Sequence, residues 1–583
     1  MRKIFLAALA ACTAGALVAP AASAATSVGS DSRVTRQRYV RHDGGSDPTI
    51  AICNSTAPAD YGNKTVNNEP FSVVNPQDPD LVIAGWNDYC SDWMGLGFST
   101  DGGDTWTNSL VPGYPADTST EGMDSPEYLR TNNASDPLGA FDSHGRFFFG
   151  MLSYNGFAGP GTNADISVAR YDVVDPAGNG GYPIDYLFTT RVGQGTPSAN
   201  FNGKFLDKPM IEVDRTGGHF DANVYACFTK FPAFGQSEIY FAASSDHGST
   251  FTKPVRVSGR AAGQGCDIAV EHDGDVYVSW RDFEGNSPKK NFGVSVVRSA
   301  NAGATWSKPK VIATLQGYNP FDGARDCGDL TEACPSGYVF SRVPLEPRLT
   351  ADPTGELPGV YSVVQAAVPS TIVASTSTYS SVGAPSASGL VAQGGVYVIG
   401  STDNGATWSA PRRVSTASKG HQFFPDADAL AGRLVVLWQD SRVDPAYSVQ
   451  RPVGNTAAAT SSGPKVVNSY AAVSTNGTSF GSAIKVTSVA NNPQYEMFGG
   501  ANVPFYGDYN WVQLVERTDG SLFGYMAWTD NRDVVVGTDP REATQDGFDV
   551  ESGWELLADG TYTRKFNLGG YDQNIYGNSI AIT

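Results

Sequence analysis

The chain has 583 residues, with 40 Lys and Arg against 59 Asp and Glu, 40% apolar residues and 65 glycines. This excludes a disordered tail protein, a collagen and a small disulfide knot. The formal net charge of −19, with no basic stripe, also argues against a nucleic-acid partner.

Arg2 and Lys3, an Ala/Leu-rich stretch and the small-residue site Ala22-Ser23-Ala24 read as an export signal over residues 1–24. A competing reading takes Leu9-Ala10-Ala11-Cys12 as a lipid-attachment box, although the apolar run ahead of Cys12 is short. The expected product is secreted, with an N-terminal arm at 25–66 and one folded unit at 67–583. After the signal no apolar run approaches the roughly 18 residues of a membrane span. Without Cys12, six cysteines remain, an even number that suits disulfides in an exported chain. Cys327 and Cys334 close a short loop and form the first expected pair; Cys53 with Cys90 and Cys227 with Cys266 are further candidates. A metal site would need clustered pairs, which Cys53 and Cys90 do not supply.

From residue 67 a unit repeats. A Pro or acidic residue opens a short alternating strand, a Gly or Asx turn follows, and a second strand ends in an aromatic. The first copy joins Glu69-Pro70-Phe71 to Ile83-Ala84-Gly85-Trp86. Others open at Asp136, Asp207, Cys266, Glu346, Pro425 and Gly507. Between them lies a second motif, clearest in Ser99-Thr100-Asp101-Gly102-Gly103-Asp104-Thr105-Trp106 and Ser401 to Trp408, with copies at Ser244 to Phe251 and Ser299 to Trp306. A poor copy at Val473 to Phe480 has Thr475 where the Asp belongs. An Asp in a tight turn accepts backbone N–H groups two or three residues on, a Gly takes the conformation that a Cβ opposes, and the aromatic plugs the gap beneath. These corners are read as structural.

Two hairpins per unit make a four-stranded antiparallel blade, and radial repetition protects the edges. The expected fold is an all-β propeller. Seven hairpins favour seven blades, with six as the alternative because two units lack a corner. On the corner motif and the repeated hairpins, the chain resembles the bacterial Asp-box, or BNR-repeat, propellers of the non-viral sialidase-like superfamily.

In such a meander the short turns and corners share one rim. The long connections, including 281–292, 315–345, 365–390, 439–468 and 531–570, share the other, where sites on rigid scaffolds tend to form. That rim receives the starts of the inner strands, with Glu69, Asp136, Asp207, Asp267, Glu346, Asp426 and Asp508 as a ring of carboxylates. Crowding would raise some of their pKa values, as a general acid requires. Two other readings are backbone hydrogen bonds to the adjoining blade and a structural Ca²⁺; no cofactor is required. Arg442 and Arg532, in matching Trp-x-Asp-x-Arg strings, and Arg342 and Arg348 are candidates to clamp a substrate carboxylate, the first two alternatively locking their own strand ends through Asp440 and Asp530.

The resemblance implies further roles. Sialidases are similar in using three Arg, a Tyr nucleophile paired with a Glu, and an Asp acid/base. Their first-blade Arg motif is absent at Asn67-Asn68-Glu69-Pro70, and the nearest look-alike is Arg342-Val343-Pro344. Tyr506 and Tyr509 are the nucleophile candidates, Glu496 beside Tyr495 the partner base, and Asp136 or Asp207 the acid/base. The expected activity is an exo-α-sialidase-like glycoside hydrolase, monomeric, acting on an extracellular glycan or glycoconjugate. A non-catalytic glycan- or protein-binding propeller at the cell surface and a polysaccharide lyase are the alternatives.

Overall fold

The structure is a computed structural model describing residues 25–35, 38–55, 66–155, 164–196, 205–232, 237–260, 263–282, 292–322, 346–376, 379–383, 388–451, 453, 466–493, 506–533, 535–536, 554–556, 562–564, 569–570 and 573–583. The export signal with Cys12, the pair Cys327 and Cys334, Arg342, Tyr495 and Glu496 lie outside the described residues.

Seven antiparallel sheets follow one another along the chain, six of four strands and the last of four joined by a short fifth, Ser32–Arg33. Their innermost strands are Asn67–Asn75, Asn133–Phe141, Phe205–Val213, Gly263–Val270, Arg348–Ala351, Gln422–Leu430 and Trp511–Glu516. The expected seven-bladed propeller is the observed one. Helix is confined, among the described residues, to short pieces such as Pro48–Cys53 and Thr120–Met123.

The last blade closes the ring in a way that the expected arm did not include. Its inner strands are Trp511–Glu516 and Leu522–Asp530, its third is Asn574–Ile582, and its outer strand is Thr26–Val28 from the start of the chain. Thr26 faces Ile582 and Val28 faces Ile580. Asp31, just beyond, meets Arg532 at 2.8 Å. Thr26–Val28 and Asn574–Ile582, far apart in sequence, therefore share one sheet, and the first covers the edge that the second would expose.

Alternation puts large aromatics at matching points of the second strands, where they fill the space between blades. Trp86, Trp280, Trp438 and Trp528 are all at most 1% exposed. Each buries roughly 4–6 kcal/mol of apolar area. Room comes from the third strand: a Cβ on Gly95 would lie 2.1 Å from the Trp86 indole nitrogen.

The corners hold on hydroxyl and carboxylate together. In the first, Ser99 Oγ accepts the Gly103 N–H at 2.9 Å and Asp101 accepts the Thr105 N–H at 2.8 Å. The corners at 244–251, 299–306 and 401–408 repeat both bonds. The acceptor thus reaches four residues on, farther than expected. The poor copy shifts by one residue: Asn476 takes the Asp role and accepts the N–H groups of Thr478 and Ser479.

Disulfides join Cys53 to Cys90 and Cys227 to Cys266. The first ties the N-terminal arm to the short connection between the second and third strands of the first blade. The second ties the third blade to the inner strand of the fourth.

Candidate functional site at the mouth of the channel

Where the inner strands begin, the backbone departs from β geometry in the same way in blade after blade. Glu69, Asp136, Lys208, Gly265, Phe424 and Gly507 have φ of 55, 55, 50, 65, 50 and 82°. Pairing registers of inner with second strands shift at these positions in five blades. Four of these residues precede proline, namely Pro70, Pro137, Pro209 and Pro425, which makes a left-handed conformation still less favourable. Such positions cost about 1–3 kcal/mol each and persist because neighbours over-determine them. The neighbour is the preceding blade. Thr529 Oγ1 accepts the Glu69 N–H at 3.3 Å, Asn87 Oδ1 that of Asp136 at 3.1 Å, Thr229 Oγ1 that of Gly265 at 3.0 Å, and Gln365 Oε1 that of Phe424 at 3.3 Å.

The bulges bring Asp136, Lys208, Glu346, Arg348 and Tyr509 around one small cavity. Lys208 pairs with Asp508 and lies 4.0 Å from Glu346. Glu69 accepts from Asn87 Nδ2 at 2.7 Å. Gly265 is what lets Glu346 in, because a Cβ there would stand 1.8 Å from the Glu346 Cγ. Arg348 holds its guanidinium 5.2 Å from the Tyr509 ring centre and 5.4 Å from that of Trp511. Tyr509 is 8% exposed, and its hydroxyl has no hydrogen-bond partner among the described residues. Burial first, then the charges of Glu69 and Asp136, push this phenol well above its ordinary value, and Arg348 opposes them. Tyr509 is therefore a protonated phenol set among carboxylates.

Below the mouth the channel is acidic along its depth, lined by Glu212, Asp267, Asp426 and Asp428 together with Arg215 and Arg348. Burial, the largest cause, raises Glu212 and Asp426 to about 7 and Asp267 to about 6. Each Asp also stitches blades together. Asp267 accepts the Leu349 N–H at 2.8 Å, Asp426 that of Val512 at 2.6 Å and Asp428 that of Leu514 at 2.7 Å.

The expected ring of seven carboxylates thus divides. Glu69, Asp136, Glu346 and Asp508 gather at the mouth; Asp267 and Asp426 lie deeper, raised mainly by desolvation rather than by crowding. Asp207 turns aside to accept from Gln264 Nε2 at 3.0 Å, and its neighbour Lys208 takes the bulge that Asp136 occupies in the second blade. Tyr506 is corrected as a nucleophile: fully buried, it donates to Asn491 Oδ1 at 2.7 Å and accepts from Gln439 Nε2 at 3.3 Å. Arg442 and Arg532 are corrected as a joint clamp. Each pairs with its own Asp, at 2.6 Å to Asp440 and 2.7 Å to Asp530, and lies 4.0 Å over Tyr470 or Tyr576 of its own blade. Arg348 does reach the mouth. Lys208 was missed; the signal for it was the recurring x-Pro that opens the inner strands.

Among the described residues, one group has the spacing to hold a metal ion: Glu271, Asp273 and Asp275, with ligand atoms within 4.8 Å, on the corner rim. Tyr277 donates to Glu271, Arg298 to Asp275 and Asn404 to Asp273, so protein donors already engage all three.

No protein-family model matches the sequence, and no curated protein matches it. Among solved structures the chain is similar to a Hadza microbial sialidase, at 14% identity and a TM-score of 0.37 over 65% of this chain and 64% of that one. It is also similar to an α-L-arabinofuranosidase of Fusarium graminearum, at 12% identity and 0.37 over 65% and 90%. A third is Trypanosoma rangeli sialidase, at 12% identity and 0.33 over 72% and 58%. The chain spans less than two thirds of the first of these and of the third. At this level of similarity the propeller assignment rests on the strand pairings themselves.

Proposed function

We propose that the chain is an extracellular glycoside hydrolase whose reaction takes place at the mouth of the channel. The observation that carries this reading is the unpartnered hydroxyl of Tyr509 among Glu69, Asp136 and Asp508, next to the cations Lys208 and Arg348. Glycosidic cleavage needs one carboxyl to protonate the leaving oxygen and a second group to meet the positive charge that develops on the sugar. The phenol of Tyr509 supplies the second when a carboxylate, Glu69 or Asp136, takes its proton as its oxygen bonds to the anomeric carbon. The other carboxyl donates to the departing oxygen, and water later releases the sugar with retention. The finer, exo-α-sialidase-like reading would place the sugar's carboxylate on Lys208 and Arg348, the two cations that line the mouth cavity. Two disulfides suit an extracellular setting.

The mature chain incubated with aryl sialosides, arabinofuranosides and hexosides tests this. Turnover lost in Tyr509→Phe with the fold intact supports it. No turnover on any of them, with glycan binding retained, selects the binding propeller, and an unsaturated product absorbing in the ultraviolet selects a lyase.

A further inference from the structure

A second cavity, of about 470 Å³, opens on the flank between the second and third blades. Its size falls in the roughly 300–1,000 Å³ range of small-ligand sites. Leu206 and Phe228 form its buried floor, and Tyr240, Arg191, Lys230 and Lys253 its walls. The rings of Phe228 and Tyr240 lie nearly parallel, at 10°, with centres 6.0 Å apart. Among the described residues no Asp or Glu lines it, in a chain of net charge −19.

The charges around it do not cancel. Behind the wall, Glu127 and Asp165 are matched by Arg191, at 2.9 and 3.0 Å, and by Arg130, at 2.5 Å to Asp165. Beside it, Arg256 meets Glu238 at 2.6 Å. That leaves two ammonium groups. Lys230 lies 4.4 Å from the centre of the Tyr240 ring, and Lys253 is exposed. Neither has a carboxylate partner among the described residues. A flat aromatic wall with two uncompensated cations over an apolar floor is complementary to a sugar ring that carries an acid group. The groove is also connected to the mouth: strand Phe205–Val213 gives Leu206 to the groove floor and, two residues on, Lys208 to the mouth.

We infer, resting on the glycan reading of the mouth, that this groove is an accessory subsite for an acidic sugar unit, so that the substrate is an anionic oligosaccharide running from the mouth over the third blade. To test this, the mature chain carrying Tyr509→Phe is titrated calorimetrically with tetragalacturonate, with cellotetraose as the neutral match and with tetraglutamate as a non-sugar acid. The acidic sugar is expected to bind at least about tenfold more tightly than the neutral one, and Lys230→Gln with Lys253→Gln to remove about that factor. Added salt is expected to weaken the acidic binding alone. If the double variant melts early, Lys253→Gln alone, at an exposed position, makes the comparison. Equal affinity for both sugars, or acidic binding unchanged in the variants, overturns the inference, as does tetraglutamate bound as tightly through the same lysines. Turnover of small neutral aryl glycosides by the wild-type mouth is expected to survive the lysine changes. If no glycoside is ever turned over while the lysine-dependent binding persists, the hydrolase reading fails and the acidic-sugar groove stands.

Discussion

The two rims of the propeller are built from similar parts and behave differently. On the corner rim, a Ser, an Asp or Asn and two successive left-handed residues, such as His247 and Gly248 or Asn404 and Gly405, recur with nearly the same bonds in four blades. Each corner closes these bonds within eight residues of one blade. On the mouth rim a left-handed residue also recurs, but its identity changes from Glu to Asp, Lys, Gly and Phe, and at Glu69, Asp136, Gly265 and Phe424 its N–H is held by the preceding blade. Repetition with constant, locally satisfied groups marks construction. Repetition of a costly backbone with changing side chains presents varied groups on a fixed frame.

The largest effect that could break this contrast is expected at Gly265. Gly265→Val forces a side chain into Glu346 at φ 65°, and should cost about 2–4 kcal/mol in denaturant unfolding and abolish turnover. If turnover survives, Glu346 does not belong to the site. Next come the two tyrosines. Tyr509→Phe removes a hydroxyl that has no described partner, so it should lower turnover about a hundredfold while leaving stability within about 0.5 kcal/mol. Tyr506→Phe should do the opposite. It leaves the Asn491 Oδ1 without its donor, while Gln439 Nε2 keeps Asn510 and Thr529, and costs about 1–2 kcal/mol, with kinetics unchanged. Interchanged outcomes would reverse the assignment.

On the other rim, Ser99→Ala leaves the Gly103 N–H without its acceptor and should cost about 1–2 kcal/mol with no change in kcat/KM. A kinetic change would mean that the corners communicate with the mouth. The smallest effect concerns the channel between the rims. Glu212 is raised by burial to about 7, whereas the unfolded chain holds a Glu near 4.3. Between those values the native state binds more protons, so this group's contribution to stability falls as pH rises through the window and levels off above 7. Glu212→Gln should therefore be more stable than wild type above pH 7 and match it near pH 4. Thermal melts at the two pH values, compared between the proteins, make the check.

Much of the frame was legible because it is local. The Asp101 corner and the Trp86 and Trp528 strand ends announce themselves at fixed spacing, and the spacing reflects bonds closed within one turn or one hairpin. The candidate site was legible in part. Asp136, Glu69, Asp508, Tyr509 and Arg348, which the structure places at the mouth, are named in the sequence because they stand at or beside the starts of inner strands. Asp207 and Lys208 are adjacent in sequence, and the bulge alone decides which one faces the mouth. Tyr506 and Tyr509 look alike in sequence; Asn491 and Gln439, from other elements, satisfy the first, and the second has no partner among the described residues.

By itself, then, the sequence determined an all-β ring of antiparallel blades, with seven favoured over six, and the corner turns, since these follow from alternation and from bonds closed within one turn. Only the tertiary structure decided that Thr26–Val28 closes the last blade, that Arg442 and Arg532 stay with their own strands, and that Lys208 sits among the carboxylates. These outcomes turn on which blade lies beside which, and on the burial and charge that only neighbouring blades can supply.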